Sequence, residues 1–218
     1  TLGGELASLS IIGAVSPPSA DFSEPVTNHT KRYVRCFWAL DAARAQARFY
    51  PAIHPLQSYS EDIEVLSQFW SQHGNPQWAV QRRRFLGLIE EQTRLERMAR
   101  IVGKDALPPR QQHVLLCAEL INESFLRQSA FSEADRFCSV GKQIAMMQLI
   151  SRFIDLSAAA VAQEIRVEDI NALPVMRRLR RMGEDIDEDG QQEKMDELRR
   201  DLDAAFTRMT REAAGDAR

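Results

Sequence analysis

The chain has 218 residues, 44% of them hydrophobic and 27% charged, enough to bury a sizeable core in one large domain or two small ones. Its 28 basic residues against 31 acidic ones leave a net charge of -3, which gives no general basis for nucleic-acid binding or for attachment to an anionic membrane. The apolar stretches at 144–149 and 156–162 are short or broken by polar residues, against the roughly 20 apolar residues of a spanning helix, so no membrane crossing is expected. Cys36, Cys117 and Cys138 are odd in number, form no CxxC pair and sit in apolar or helical text, which points to a reducing compartment, by default the cytoplasm. The sequence starts at Thr1 without a basic-plus-apolar leader and reads as part of a longer polypeptide.

In chain order, the β-branched run at 9–15 stops at Ser16-Pro17-Pro18 and predicts a buried strand leading into a rigid loop. A second apolar run at 36–40 ends at Asp41, and a helix is expected over 42–49 before Tyr50-Pro51 breaks it. Two fully apolar strands with helical connections suggest the last units of a parallel α/β sheet. Beyond about Ser60 every segment carries apolar spacings of three and four, so a helical domain follows. The division expected is 1–60 for the end of an α/β domain and 61–218 for a helical bundle, making the chain mostly helical.

Within that bundle Ile63, Leu66 and Trp70 share one stripe that stops at Gly74-Asn75-Pro76. A long helix over 76–102 turns Phe85, Leu88, Leu95, Met98 and Val102 inward, with Gly103 as its cap and Glu90 spaced to support Arg94. Pro108 and Pro109 open a third helix with Val114, Cys117, Ile121 and Phe125 buried. A Met-rich helix over 139–163 is expected at the centre. Pro174 starts a short basic helix, an acidic loop spans 183–190, and Met195, Leu198, Leu202, Phe206 and Met209 mark a last amphipathic helix.

The usual catalytic constellations are missing. His29, His54, His73 and His113 show no spacing that would place two nitrogens on one metal, and there is no GxSxG elbow or His-paired cysteine. Gly141-Lys142 lacks the earlier glycine and the following Ser or Thr of a phosphate-cradling loop. The basic runs at 82–84 and 177–181 fall on amphipathic helices, and a solvated or protein-facing role outweighs nucleic-acid binding for both.

The text over 11–60 is more specific. SPPSADFSEPVT, then FWALD, then Tyr50-Pro51-Ala52-Ile53 and a closing SYS occur in order, and in this the chain resembles the catalytic A-type subunits of V/A-type rotary ATPases. Val102 to Pro108, Phe125 to Phe131 and Phe137-Cys138-Ser139 are similar to further family text. Ser19-Ala20 departs from a common glycine pair, and Gly141 and Ile144 replace larger or polar residues. The resemblance implies a C-terminal portion: the last strands of a P-loop-type sheet, then the helical end of a protein that hydrolyses or makes ATP coupled to proton or sodium transport.

On the same resemblance, the phosphate loop, its lysine, the magnesium-binding residues and the catalytic glutamate lie before Thr1, so this portion alone is expected to be inactive. Tyr50 and Phe137 match the two aromatics that flank adenine, for which stacking needs only a ring face; taken without the resemblance, both are ordinary packing residues. Ser16, Pro17 and Pro18 form a loop expected near the nucleotide, at the carboxyl end of a strand, although Glu24 before Pro25 also suits a helix cap. The implied cofactor is ATP or ADP with Mg2+, none held tightly by this portion. The implied partners are a B-type subunit in an alternating hexameric ring and the central stalk, on the cytoplasmic side of a membrane, with the 174–181 helix and the acidic 183–190 stretch as the stalk contact. A stand-alone helical interaction module is the alternative from a different class; the non-catalytic or F-type subunit would call for other text at 16–27. Apolar surface left uncovered by missing strands predicts some self-association.

Overall fold

Glu24 is the first residue to organise the chain. In the computed structural model, which describes residues 4, 8–18 and 21–216 apart from the side chains of Val102 and Asp216, its carboxylate accepts from the backbone N–H of Val26 (3.1 Å) and Thr27 (2.9 Å). It thereby caps α1 (Pro25–Tyr33), and Pro25 in the first turn sacrifices no helical hydrogen bond. A two-residue strand β1 (Cys36–Phe37) follows, then α2 (Ala42–Gln46), capped by Asp41 through the Arg44 N–H at 2.6 Å. The helix stops short of the expected Phe49 because Arg48 turns left-handed, with φ 59°, a conformation that ends right-handed winding.

The strand β2 (Tyr59–Ser60) pairs with β1, Cys36 opposite Ser60 and Phe37 opposite Tyr59. This pairing is antiparallel, whereas the apolar pattern suggested parallel strands: β1 finds its neighbour in its own chain returning through the 41–58 loop, and a chain that turns straight back runs antiparallel. The run at 9–15 forms no ladder. Leu9, Ile11 and Ile12 stand 86%, 87% and 86% exposed, because a β-branched run becomes a strand only where another strand offers it N–H and C=O partners. Ser19-Ala20 lies outside the described residues.

The helical part contains α3 (Ile63–Gln72), α4 (Trp78–Val102), α5 (Pro109–Ile121), α6 (Val140–Ala162), α7 (Val167–Asn171), α8 (Pro174–Asp185) and α9 (Gln191–Asp216). Thus a small α/β portion precedes an all-α bundle. α5 runs directly into a wide π turn at Asn122–Leu126. The short α7 is additional to the expected elements, and α8 absorbs the first residues of the acidic stretch expected to be a loop. Met98, expected inward on α4, is 42% exposed.

α6 is central, packing against α4, α5, α8 and α9. It is also the one described helix long and apolar enough to cross a membrane by length and composition, a property that its short separate apolar stretches do not display. Its apolar residues Ile144, Met146, Met147, Leu149, Ile150, Phe153 and Ile154 are buried in the bundle. Phe153 meets Phe206 of α9 edge-on at 6.0 Å, a favoured aromatic geometry.

Candidate functional site

The candidate residues divide into two groups once their neighbours are known. Arg48 and the loop after α2 bring Tyr50 to the bundle, where its carbonyl accepts the Gln128 N–H at 2.6 Å. Arg44 steadies this approach: its guanidinium lies 4.2 Å from the centre of the Phe49 ring and donates to Asn122 Oδ1 at 3.2 Å. Burial pushes the Arg44 guanidinium pKa down against the pull of Asp41. The Gln128 side chain then donates to the Asp135 carbonyl at 3.2 Å, two residues before Phe137. Tyr50 and Phe137 are therefore tied to one loop, residues 127–139, and they stand 52% and 66% exposed.

Ser16, Pro17 and Pro18 belong elsewhere. The Pro18 carbonyl accepts from Asp21 N–H at 3.0 Å, and Phe22 packs edge-on against Phe37 with ring centres 5.9 Å apart. Phe37 stacks on Tyr59 (5.8 Å), the Tyr59 hydroxyl donates to the Lys31 carbonyl (2.6 Å), and Lys31 Nζ lies 5.0 Å from the Phe37 ring centre. The proline loop thus leads onto the β1–β2 pair, and among the described residues no hydrogen bond joins it to Tyr50 or Phe137.

Beneath the strand pair lies an apolar cleft of about 380 Å³, lined by Trp38, Tyr59, Trp70, Trp78, Phe85 and Phe125 among others. Among the described residues no three His, Cys, Asp or Glu side chains converge to hold a metal ion. Contrary to the expectation of no His-paired cysteine, buried His113 has its Nε2 3.2 Å from Cys117 Sγ and 2.7 Å from Ser157 Oγ, although burial pushes the Cys117 thiol up to about 12 and leaves it no reactive thiolate. Burial first, and Arg84 second, push the His113 pKa below the ordinary imidazole value.

Two family descriptions match the chain: the alpha/beta family nucleotide-binding domain of ATP synthase over residues 2–60, and the C-terminal domain of V and A type ATP synthase over residues 67–170. The A-type ATP synthase protein of Thermococcus onnurineus that carries the subunit letter A is 43% identical over 84% of this chain and 32% of its own length. A V-type ATP synthase alpha chain from Nitrosococcus oceani is 39% identical over 98% of this chain and 36% of its own. The chain belongs to the V- and A-type ATP synthase family of A-type, or alpha, subunits. It spans about a third of these curated relatives, and 18% of the corresponding Pyrococcus abyssi protein, to which it is 41% identical. Among solved structures, the ATP synthase subunit NeqB from Nanoarcheaum equitans superposes with a TM-score of 0.51 at 19% identity, over 63% of this chain and 34% of that one; at that identity the likeness speaks for the fold alone.

In this member of the ATP synthase family, Tyr50 and the proline loop fall in the nucleotide-binding match and Phe137 in the C-terminal match. The basic run on α8 is largely engaged inside the molecule. Arg178 pairs with Asp201 and, at 3.1 Å, with Glu197 on α9; Arg180 pairs with Glu123 at 3.1 Å; Arg181 pairs with Asp185 at 3.0 Å. Gln128, which lies within the family-like text at 125–131 without having been singled out, and Asp135 and Lys142, which lie outside the family-like motifs, join the candidate site from the structure. For Lys142 the sequence shows only an incomplete phosphate loop, although its spacing to Met146, Leu149 and Phe153 places it on the buried stripe of α6.

Proposed function

We propose that this chain supplies the adenine-facing wall and the helical end of the nucleotide-binding subunit of an ion-translocating rotary ATPase. The whole subunit would hydrolyse or make ATP with Mg2+, in a ring alternating with a B-type subunit, around a central stalk and peripheral to the cytoplasmic face of a membrane. The division of labour follows the expected boundary, with 1–60 closing the nucleotide domain and 61–218 forming the helical domain. The phosphate-binding and catalytic groups belong to the longer subunit, so this chain alone would bind adenine weakly and perform no phosphoryl transfer. The magnesium-binding residues that the resemblance implies would likewise belong to the longer subunit.

The observation that carries this reading is the main-chain bond between Gln128 and Tyr50 (2.6 Å), which ties exposed Tyr50 to the loop that carries exposed Phe137. A tyrosine and a phenylalanine used for packing would bury their faces; a purine clamp must leave them accessible until the base arrives. A place at the nucleotide for Ser16, Pro17 and Pro18 rests on the resemblance alone, since the 9–15 run before them forms no strand in this chain. The stalk contact is kept at the 174–181 helix and the acidic 183–190 stretch, where Arg178, Arg180 and Arg181 also hold carboxylates of this chain.

Photolysis of 2-azido-ADP with the 218-residue chain, followed by peptide mapping, tests the site. Label is expected on the peptide containing Tyr50 and is lost in Tyr50→Ala. Label spread without preference over the bundle, or unchanged by that substitution, would overturn the assignment.

A further inference from the structure

Behind the loop that carries Phe137 lies a buried polar cluster that the nucleotide contact does not use. Lys142, in the first turn of α6, is 0% exposed, and its Nζ donates to the carbonyls of Ala134 (2.6 Å) and Gly183 (2.9 Å). An ammonium removed from water is unfavourable unless its protons are taken up, so packing alone does not call for lysine where methionine would fill the space. What lysine adds is a tie between the loop and α8. Asp135 is 4% exposed, and its Oδ2 accepts the Ser129 N–H at 2.5 Å while its carbonyl accepts the Gln128 side chain. A Cβ on Gly183 would sit 2.8 Å from Asp135 Oδ1, so α8 approaches this carboxylate as closely as glycine permits. At the far end of the loop Ser139 N–H donates to Glu188 Oε1 at 2.8 Å.

We propose that Lys142 and Asp135 are positioning residues which set where Phe137 stands relative to Tyr50, and hence the gap offered to a planar purine, without touching the base themselves. Lys142 holds the loop at Ala134, and Asp135 holds its start at Ser129 and, through Gln128, reaches the Tyr50 carbonyl. The ligand in this inference rests on the adenine reading; the geometry of the loop does not.

The test uses the whole chain carrying 4-fluorophenylalanine at position 137, compared in wild type, Lys142→Met, Asp135→Asn and Asp135→Ala. In folded Lys142→Met the fluorine resonance moves, the Gln128 amide exchanges roughly tenfold faster, as expected for losing charge-assisted bonds, and the response to ADP weakens. Asp135→Asn, which keeps an acceptor for Ser129, gives a smaller change than Asp135→Ala. In wild type the resonance also follows pH with a midpoint above 3.8, because burial raises the Asp135 carboxyl more than the Ser129 amide and Lys142 lower it, with Glu184 of α8 raising it further. Glu123 in the π turn, Arg127 just after it and Arg177, Arg180 and Arg181 of α8 line one surface cavity with Asp135 and Glu184. That titration vanishes in Asp135→Asn, and it decides the matter if Lys142→Met does not fold.

A folded Lys142→Met with an unmoved resonance and wild-type Gln128 protection overturns the proposal, as does a wild-type resonance that ignores acid. Loss of any ADP response in wild type, with the variant shifts intact, would sink the adenine reading alone.

Discussion

Residues 9–12 and residues 146–150 are both dense apolar text, yet they end in opposite environments. Leu9, Ile11 and Ile12 are 86%, 87% and 86% exposed, while Met146, Met147, Leu149 and Ile150 are 4%, 3%, 3% and 0% exposed. The same contrast holds more widely: Tyr33, Trp38 and Leu40 lie open beside the strand pair, whereas the bundle closes over one large core of Phe153, Leu198, Leu202, Phe206 and their neighbours. An apolar run therefore marks a capacity for burial, and the presence of a partner surface decides whether the capacity is used.

The largest effect that would break this contrast is a core truncation. Phe153→Ala is expected to lower unfolding free energy by about 3–5 kcal/mol, whereas Ile11→Ala should change it by no more than about 0.5 kcal/mol. Urea denaturation of the two variants measures both, and similar losses would mean that residues 9–12 are buried after all.

Acid should also act on the bundle through His113. Its folded pKa lies below the usual 6.5, so the unfolded chain binds the proton first and stability falls as pH drops from about 6.5 towards the folded value. Asp135 runs the other way: its folded pKa lies above 3.8, so its own contribution grows as pH falls through that interval. Melting temperatures between pH 7 and 5 should decline less steeply in His113→Gln than in wild type, and an unchanged slope would exclude His113 as the cause.

The helix caps give a smaller, sharper comparison. Ser139 Oγ accepts the Lys142 N–H at 3.1 Å, and Ser139→Ala should cost about 1 kcal/mol of global stability. Glu24→Ala removes the corresponding cap of α1 and should release local amide protection while leaving the global midpoint in place. Hydrogen exchange read beside thermal melting separates the two outcomes.

Thiol chemistry provides the smallest effect. Burial pushes Cys117 up to about 12 and Cys138 up to about 11, while Cys36 is exposed. A disulfide reagent at pH 8 should react quickly with one thiol, lost in Cys36→Ser, because the thiolate is the reacting form. A second fast thiol, lost in Cys138→Ser, would show that the 127–139 loop opens around Cys138.

Much of the bundle was legible because helix punctuation is local: Gly103 after α4, and Pro108 before and Pro109 at the start of α5, act within a turn of where they stand. The end of α2 was not, since Arg48 adopts a left-handed conformation that its residue type does not advertise. The β1–β2 register depends on residues that meet only in space. Tyr50 and Phe137 were singled out through family text, yet the buried bonds of Asp135 and Lys142 to the neighbouring loop and α8 were not visible there. A buried lysine is written like an exposed one, and only the apolar stripe around Lys142 hints at the difference.

The wide turn at Asn122–Leu126 carries one residue more than a regular helix would. Each residue of an α-helix advances the chain by about 100° around its axis, so deleting Glu123 would rewind the turn and swing Gln128 away from the Tyr50 carbonyl. A single extra residue thus acts as the gear that sets the phase at which Gln128 meets the Tyr50 carbonyl, and its removal should unlatch that bond while α5 and α6 keep their cores.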